Sequence, residues 1–263
     1  GLVFLVNAAV IVWLWLHGGG ISGVHTVGDA FTSIGRITGL LGAYLLLIQV
    51  VLLVRLPPLE QLVGFDRLTV WHRLNGKICL YLILAHVAFI TIGYAMMDRI
   101  SIPAEVSTLL TRYPGMVTAT VGTALLILVV VTSIVIVRRR MRYETWFLVH
   151  LMAYAGIVLA WFHQIPTGNE LALAPTAAAY WTGLYLATLA LLVLFRFAQP
   201  ILRSLWFRMR VAEVIVEAPG VVSLRITGRH LDRLGAHAGQ FFLWRFLTWN
   251  RWWESHPFSL SAA

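Results

Sequence analysis

The chain has 263 residues, of which 59% are hydrophobic and only 12% are charged. Soluble globular domains carry about 25% charged residues, so this composition excludes that class and indicates an integral membrane protein surrounded by lipid. The net charge of +9 does not indicate a nucleic-acid partner, because the arginines flank apolar segments, where they set membrane topology.

Six apolar segments approach the length of about 20 residues that a membrane-spanning helix needs. The chain begins inside the first of these segments, so we expect that span to be shortened and the natural N-terminus to lie upstream. The predicted spans are residues 2–16, 34–54, 71–94, 118–137, 146–164 and 177–197.

The lysines and arginines near the span ends predict the orientation. Twelve of them lie in or beside the second and fourth connections and the end of the sixth span, whereas only three lie in or beside the other three connections. Because such residues are enriched in cytoplasmic connections, we expect a multi-pass protein of the cell membrane. Its N-terminus and its C-terminal segment are then both cytoplasmic.

The pattern changes after about residue 205, where apolar and polar residues begin to alternate. Residues 211–217 and 221–227 are predicted to be strands joined by a turn at 218–220. Residues 240–246 and 258–262 are predicted to be further short strands. We therefore divide the chain into a membrane domain, residues 1–200, and the first part of a cytoplasmic β domain, residues 205–263.

Four histidines lie in the third and fifth spans at matched intervals. His72 and His86 are fourteen residues apart, and His150 and His163 are thirteen apart. In a helix these intervals measure roughly 21 Å and 20 Å. His72 and His150 (the first pair) are then expected near the cytoplasmic side, and His86 and His163 (the second pair) near the other side. Two histidines fill both axial positions of a haem iron, which suits electron transfer.

Other roles for these histidines stay open. A histidine inside a membrane can hydrogen-bond to a neighbouring helix or take part in a proton relay. Zinc is disfavoured, because no cysteine cluster or carboxylate accompanies the pairs. On an ideal helix His150 and His163 would point about 140° apart, so a tilt or distortion near Gly156 would help them to reach their partners.

With these spacings the chain resembles the ferric reductase and NADPH oxidase superfamily. Adjacent residues agree: Trp71-His72-Arg73 opens the third span, and Arg142-Tyr143-Glu144-Thr145-Trp146 leads into the fifth. The resemblance implies a six-helix, all-α transmembrane bundle with two b-type haems, held by His72 with His150 and by His86 with His163. The chain has no Cys-x-x-Cys-His motif, so the haems would be non-covalent.

The resemblance also implies roles for two arginines that bracket the second span. Arg36 would lie by the outer haem and Arg55 by the inner one, as two arginines do in animal NADPH oxidases. Haem propionates are anionic, and arginine pairs with carboxylates in a two-pronged way. The alternative for both is that the guanidinium reaches towards the lipid headgroups.

The end of the chain resembles the flavin-binding strand of the same enzymes and of ferredoxin-reductase-like flavoproteins. The string is His256-Pro257-Phe258-Ser259-Leu260-Ser261, and Gly239-Gln240-Phe241 resembles the preceding strand of that antiparallel β-barrel. The resemblance places Phe258 near the isoalloxazine of FAD, Ser259 near its reactive nitrogen and His256 near its ribityl or phosphate region. By the same resemblance we expect the nicotinamide domain to lie beyond the residues of this chain.

The function implied by the resemblance is an NAD(P)H-dependent transmembrane oxidoreductase. Electrons would pass from cytoplasmic NADPH or NADH through FAD and the two haems to an acceptor outside, either a ferric iron complex or dioxygen. Ile90 stands where animal oxidases carry a further histidine, and the outer connections are short and lack cysteines, which favours a bacterial member other than a specialised superoxide producer.

Two alternatives remain. The chain could be a haem-binding membrane subunit that passes electrons to a separate outer partner protein, although this would not need the flavin-like strand. It could also be a proton-coupled transporter without haem, although the predicted spans contain few carboxylates.

Overall fold

The computed structural model describes residues 2–235, 241–249 and 256–260. The chain divides into two units, Gly1–Arg196 and Phe197–Ala263. The first unit is helical, and the second joins a short helical segment to strands. Each unit is described by itself.

The helices follow one another with short connections, and several short helices lie between the long ones. In chain order they are α1 (Leu2–His17), α2 (Val27–Leu52), α3 (Pro57–Val63), α4 (Phe65–Asp98), α5 (Ile102–Arg112), α6 (Met116–Ser133), α7 (Val135–Arg138), α8 (Tyr143–Thr167), α9 (Asn169–Ala172), α10 (Pro175–Leu192) and α11 (Gln199–Phe207). A π-helical segment, Val193–Ala198, joins the last two helices.

Within the described residues, five helical segments are long and apolar enough to cross a membrane. They are α2, α4, α6, α8 and the continuous segment Pro175–Phe207. These five coincide with the second to sixth predicted spans. The first predicted span is helical, but α1 has only 16 residues. At 1.5 Å per residue it measures roughly 24 Å, short of a hydrocarbon core about 30 Å thick.

The long helices extend beyond the apolar segments that predicted them. Helix α2 begins seven residues before the predicted span, because Thr26 and Asp29 form a capping box. The Thr26 hydroxyl accepts a hydrogen bond from the Asp29 backbone (3.2 Å), and the Asp29 carboxylate accepts one from the Thr26 backbone (2.8 Å). Polar caps satisfy the free backbone groups of a helix end, so hydropathy alone does not locate the ends.

Close helix packing depends on glycines. A Cβ atom on Gly122 of α6 would lie 2.7 Å from the backbone oxygen of Gly156 on α8, so these two helices touch at their backbones. A Cβ atom on Gly35 of α2 would lie 2.9 Å from the backbone nitrogen of Ile90 on α4. Small residues allow the close helix contacts that are typical of membrane interiors. The bundle therefore packs α2 against α4 and α6 against α8.

The second unit contains two separate two-stranded antiparallel sheets in its described part. Strands β1 (Arg210–Ala218) and β2 (Val221–Thr227) form a hairpin that confirms the first two predicted strands. Strands β3 (Phe241–Trp244) and β4 (His256–Ser259) form the second sheet. The latter strand begins two residues before its predicted start, and predicted strand residues 240, 261 and 262 lie outside the described residues.

Candidate functional site

The four histidines of α4 and α8 meet as two pairs. The ring centroids of His72 and His150 are 6.0 Å apart, and those of His86 and His163 are 6.3 Å apart. The interplanar angles are 49° and 38°. The structure thus brings together the same partners that the depth argument predicts.

The two pairs are well separated along the bundle. Fourteen residues of α4 and thirteen of α8 correspond to roughly 21 Å and 20 Å of helix. Both pairs form although α8 is one helix from Tyr143 to Thr167, so the thirteen-residue interval does not prevent pairing. Gly156 lies within this helix at the contact with Gly122, where no interruption is present.

On α4, both histidines donate to backbone oxygens of α2. Nδ1 of His72 lies 3.2 Å from the Gln49 oxygen, and Nδ1 of His86 lies 2.7 Å from the Gly35 oxygen. A carbonyl oxygen only accepts, so each Nδ1 carries the proton and each Nε2 keeps a free lone pair. This is the usual state of a metal-ligating histidine, whose other nitrogen is hydrogen-bonded to a carbonyl or carboxylate.

His150 reaches the same state through a side chain. Its Nδ1 lies 3.2 Å from Oγ of Ser133, the last residue of α6. The Ser133 hydroxyl donates its one proton to the Val129 oxygen at 2.7 Å, and its oxygen also accepts from Nε1 of Trp146 at 3.3 Å. Because the Val129 contact is the shorter of the two, it takes that proton, which makes Nδ1 of His150 the donor to Ser133 and leaves Nε2 free.

His163 is held differently. Its Nδ1 is buried without a well-formed hydrogen bond among the described residues, and it interacts with the Ala160 backbone of the preceding turn. The start of α6 approaches the His163 backbone closely, since a Cβ atom on Gly115 would lie 2.8 Å from the His163 nitrogen. Gly115 has a φ of +78°, so glycine suits both the turn and the contact.

The ring of His86 fits into a space left by a second glycine. A Cβ atom on Gly39 of α2 would lie 2.5 Å from Nδ1 of His86. Gly35, whose oxygen accepts from this ring, precedes Gly39 by one helical turn. Together these glycines give the His86 ring its place beside α2.

The first pair is instead surrounded by amides. The Gln49 side-chain amide donates to the His72 backbone oxygen at 2.8 Å, and the His72 ring in turn donates to the Gln49 backbone oxygen. Asn75 donates to the Leu45 oxygen at 2.9 Å and to Oε1 of Gln49 at 2.7 Å. These bonds fix α2 and α4 to each other beside the first pair.

Trp146 completes the surroundings of the first pair. Its ring centroid lies 5.0 Å from that of His150, and the guanidinium carbon of Arg138 lies 4.5 Å from the centre of the Trp146 ring. The cation is thereby attracted to the indole face, which holds the ring against the histidine.

The two arginines that the resemblance assigns to haem propionates already have carboxylate partners. Arg36 forms an ion pair with Glu170, whose side chain is 2% exposed, and also donates to the Gly18 oxygen at 3.0 Å. Arg55 pairs with Glu60 at 3.2 Å, and its guanidinium lies 3.8 Å from the centre of the Phe65 ring. Their roles towards a haem stay predictions.

The flavin-like string lies on β4, opposite β3. Phe258 pairs with Phe242, and His256 pairs with Trp244. The Phe246 ring contacts both, at 5.9 Å from His256 and 6.2 Å from Phe258 between centroids. Pro257 and Ser259 pair with the remaining two residues of β3. Gly239, Gln240 and Ser261 lie outside the described residues, and the proposed flavin contacts stay predictions.

Sequence reasoning missed several residues that the structure places at the site. Polar residues within apolar spans, such as Gln49, Asn75 and Ser133, were an available signal, since such side chains need partners inside a membrane. The one-turn spacing of Gly35 and Gly39 was a second signal for a close helix contact.

Glu105 on α5 is a further surprise. It is fully buried, and neither carboxylate oxygen has a hydrogen-bond partner within the described part of the chain. Burial raises the pKa of this carboxyl, and the nearby charge of Asp98 raises it further. The amphipathic pattern of α5 places it one turn from the buried Leu109, which the sequence could have shown.

These features define the class of the protein: a multi-span membrane protein with two histidine pairs, one at each of two levels between two of its helices. Residues 38–161 match the family model described as ferric reductase like transmembrane component. This part of the chain is therefore similar to ferric reductase-like transmembrane domains, which supports a relationship to the ferric reductase and NADPH oxidase superfamily. No curated protein matches the chain.

Proposed function

We propose that the chain conducts electrons across a membrane through two b-type haems, one held by each histidine pair. The observation that carries the proposal is the meeting of His72 with His150 and of His86 with His163 at two levels of the same two helices. The match of residues 38–161 to a ferric reductase-like component supports the same conclusion.

The spacing of the rings fits one metal ion between the partners of each pair. With a metal–nitrogen bond of about 2.0 Å and ring centres about 1 Å behind the nitrogens, two opposed imidazoles have centroids about 6 Å apart. The observed distances are 6.0 Å and 6.3 Å. The rings are tilted by 49° in the first pair and by 38° in the second, so small side-chain rotations would complete their alignment on the metal ion.

The number of ligands favours a haem over a bare metal ion. The described residues contain no group of three or more histidine, cysteine, aspartate or glutamate side chains that could hold a metal. Each histidine pair supplies two ligands, which are too few for a bare ion but would suffice to hold a haem. A haem held by His72 with His150 and by His86 with His163 would supply reversible one-electron chemistry.

The protein's own part is to hold the histidines in the ligating state. The Gln49 and Gly35 oxygens and the Ser133 hydroxyl accept from three of the four Nδ1 atoms, so the corresponding Nε2 atoms keep the lone pairs that a metal would need. All four histidines are partly buried within the bundle. These interactions, with histidine as the ligand, are the features that set redox potentials in such proteins.

The electron donor and the orientation extend the proposal. Cytoplasmic NADPH or NADH would reduce FAD bound by His256, Pro257, Phe258 and Ser259, and the positive-inside pattern would place the first pair near the cytoplasmic face of the membrane. The pairing of β3 with β4 supports this, because it arranges the flavin-like string as one edge of a small sheet. The membrane domain and the FAD-binding segment would belong to one oxidoreductase.

The acceptor on the other side would be a small molecule, a ferric iron complex or dioxygen. Ile90 packs against Gly35 of α2 and offers no polar group one turn after His86. This favours simple electron transfer from the edge of the outer haem over a specialised dioxygen site.

Proteoliposomes test this function. The purified chain is reconstituted with haem, dithionite is enclosed, and ferric citrate is added outside with a membrane-impermeant chelator that reports ferrous iron. We expect acceptor reduction by the parent protein and at least a ten-fold slower rate for His72→Ala and His163→Ala, which remove one ligand from each pair. A parent rate equal to that of empty vesicles would refute the proposal.

A further inference from the structure

The two histidines of α8 differ in how they are held, although the proposed function gives them the same task. His163 has no well-formed hydrogen bond at Nδ1, whereas Nδ1 of His150 donates to the Ser133 hydroxyl at 3.2 Å. His72 and His86 donate to backbone oxygens. Among the four, His150 alone is directed by a side chain in the part of the chain that the structure describes.

Ser133 is in turn fixed from three directions. Its hydroxyl donates to the Val129 oxygen one turn earlier in α6, and its oxygen accepts from Nε1 of Trp146 as well as from His150. Trp146 is itself held by Arg138 over its indole face. The contact with Val129 is the shorter one, at 2.7 Å against 3.2 Å to Nδ1 of His150, so it takes the single proton of Ser133 and the oxygen accepts from the histidine.

We infer that Ser133 is the positioning residue of the first pair, which holds His150 as the Nδ1-protonated tautomer with Nε2 directed at the partner ring of His72. The inference rests on the proposed function, since it assigns Ser133 a task only if His150 ligates a haem. It goes beyond that function by naming a residue of α6, a helix that contributes no ligand, as the one that sets the properties of one haem and not of the other.

The chemical consequence is specific to one site. A hydrogen bond from Nδ1–H to an oxygen makes Nε2 a stronger ligand, which favours the oxidised form of the metal and strengthens retention. Loss of the acceptor weakens the ligand, so the first site should release its cofactor faster and its midpoint potential should become more positive. The second site, about 20 Å away along the helix, should keep both properties.

Trp146 should contribute less than Ser133. It donates to the same oxygen at 3.3 Å and its ring rests near His150, but it does not bond to the histidine. Removing its N–H while keeping an aromatic ring should loosen Ser133 only slightly, because the bond from Ser133 to Val129 remains.

The experiment compares Ser133→Ala with Ser133→Thr, Trp146→Phe and Thr132→Val in the purified, haem-loaded chain. Thr132 is the matched control, because it is the preceding residue of α6 and its hydroxyl bonds only to the Leu128 and Val129 oxygens among the described residues. Two quantities are measured for each haem: transfer to excess apomyoglobin, and the midpoint potential from a spectroelectrochemical titration with electron paramagnetic resonance of the two low-spin signals.

We expect Ser133→Ala to lose one haem about ten-fold faster than the parent, in the range known for hydrogen-bond partners of metal ligands, with a more positive potential for that haem alone. Ser133→Thr, which keeps a hydroxyl, and Thr132→Val should behave like the parent, and Trp146→Phe should fall between. If the parent binds two haems and Ser133→Ala changes neither, the inference is wrong while the function stands. If the parent binds none, both are wrong.

Discussion

The two histidine pairs have nearly the same ring spacing, but different kinds of residue surround them. The first pair is surrounded by side chains that hydrogen-bond, chiefly Gln49, Asn75 and Ser133. The second pair relies on glycines, which let backbone approach the rings and offer an oxygen to His86. The comparison teaches that one ligand geometry can be fixed either by polar side chains or by close backbone packing, and that the two solutions fail in different ways.

The largest effect should follow from filling the space beside the second pair. In Gly39→Ala the new Cβ would lie 2.5 Å from Nδ1 of His86, a ring already bonded to backbone. The ring must move, so we expect loss of the second haem, with a first haem that is retained. Overpacking should also lower the free energy of unfolding by about 1–3 kcal/mol. Haem content per chain measures the first effect.

Gly183→Ala is the matched control for that substitution. A Cβ on Gly183 of α10 meets no atom within 4 Å, so the variant should keep both haems. Retention of both haems by Gly39→Ala would show that the glycine space is not what places His86.

For stability rather than haem content, the largest effect concerns the Arg36–Glu170 ion pair. Glu170 is buried, so Glu170→Ala leaves a cation without its partner and should lower the free energy of unfolding by about 3–5 kcal/mol. Arg36→Ala together with Glu170→Ala should cost less than the sum of the two single changes, because both charges are then gone. Denaturation in detergent measures the free energy of unfolding of the parent, the two single variants and the double variant.

The same double-variant series separates two roles for Arg36. If Arg36 serves only this pair, the double variant should bind haem like the parent. A selective loss of the second haem in Arg36→Ala that Glu170→Ala does not share would instead support contact with a haem propionate.

A smaller effect is expected at the first pair from Gln49→Leu. The change removes the donor to the His72 oxygen and an acceptor for Asn75, but leaves the backbone oxygen that receives the His72 ring. Unsatisfied buried groups cost about 1–3 kcal/mol, so haem loss from the first site should quicken modestly. Gln61→Leu, an exposed position on α3, is the control. Equal haem loss in both variants would exclude a role for the Gln49 amide.

The smallest effect is the pH dependence of stability that comes from Glu105, a buried acid outside both histidine pairs. The pKa of Glu105 is raised above 4.5 by burial and by Asp98, so the folded protein binds this proton more tightly than the unfolded chain. Its contribution to stability is full below pH 4.5 and is lost as the pH rises through the raised pKa. Glu105→Gln has no such proton, so its unfolding temperature relative to the parent should increase across that window. A constant difference would contradict the burial of an unpaired carboxyl.

Much of this architecture could be predicted from the sequence because membranes impose strong rules. Apolar length located five spans, and alternation located the β1–β2 hairpin. The depth argument predicted which histidines would meet, since the intervals on α4 and α8 correspond to similar lengths of helix. Helix ends were missed, because capping by Thr26 and Asp29 depends on a few polar residues outside the apolar segment.

The surroundings of the histidines could not be predicted from spacing. The bond from His150 to Ser133 joins two helices whose relative rotation is set by packing at Gly122 and Gly156, which hydropathy does not record. Arg36 illustrates the same limit. Its charge indicated an anionic partner, and the structure provides one in Glu170, 134 residues away along the chain.

The most direct test of the account is the haem content of the detergent-purified chain, measured by pyridine haemochrome assay together with the His72→Ala and His86→Ala variants. The account predicts two non-covalent b-type haems per chain in the parent and one in each variant, with a different low-spin signal lost in each case. A parent without haem after expression in haem-replete cells, or a variant that retains both, would contradict the assignment of the two pairs as haem ligands.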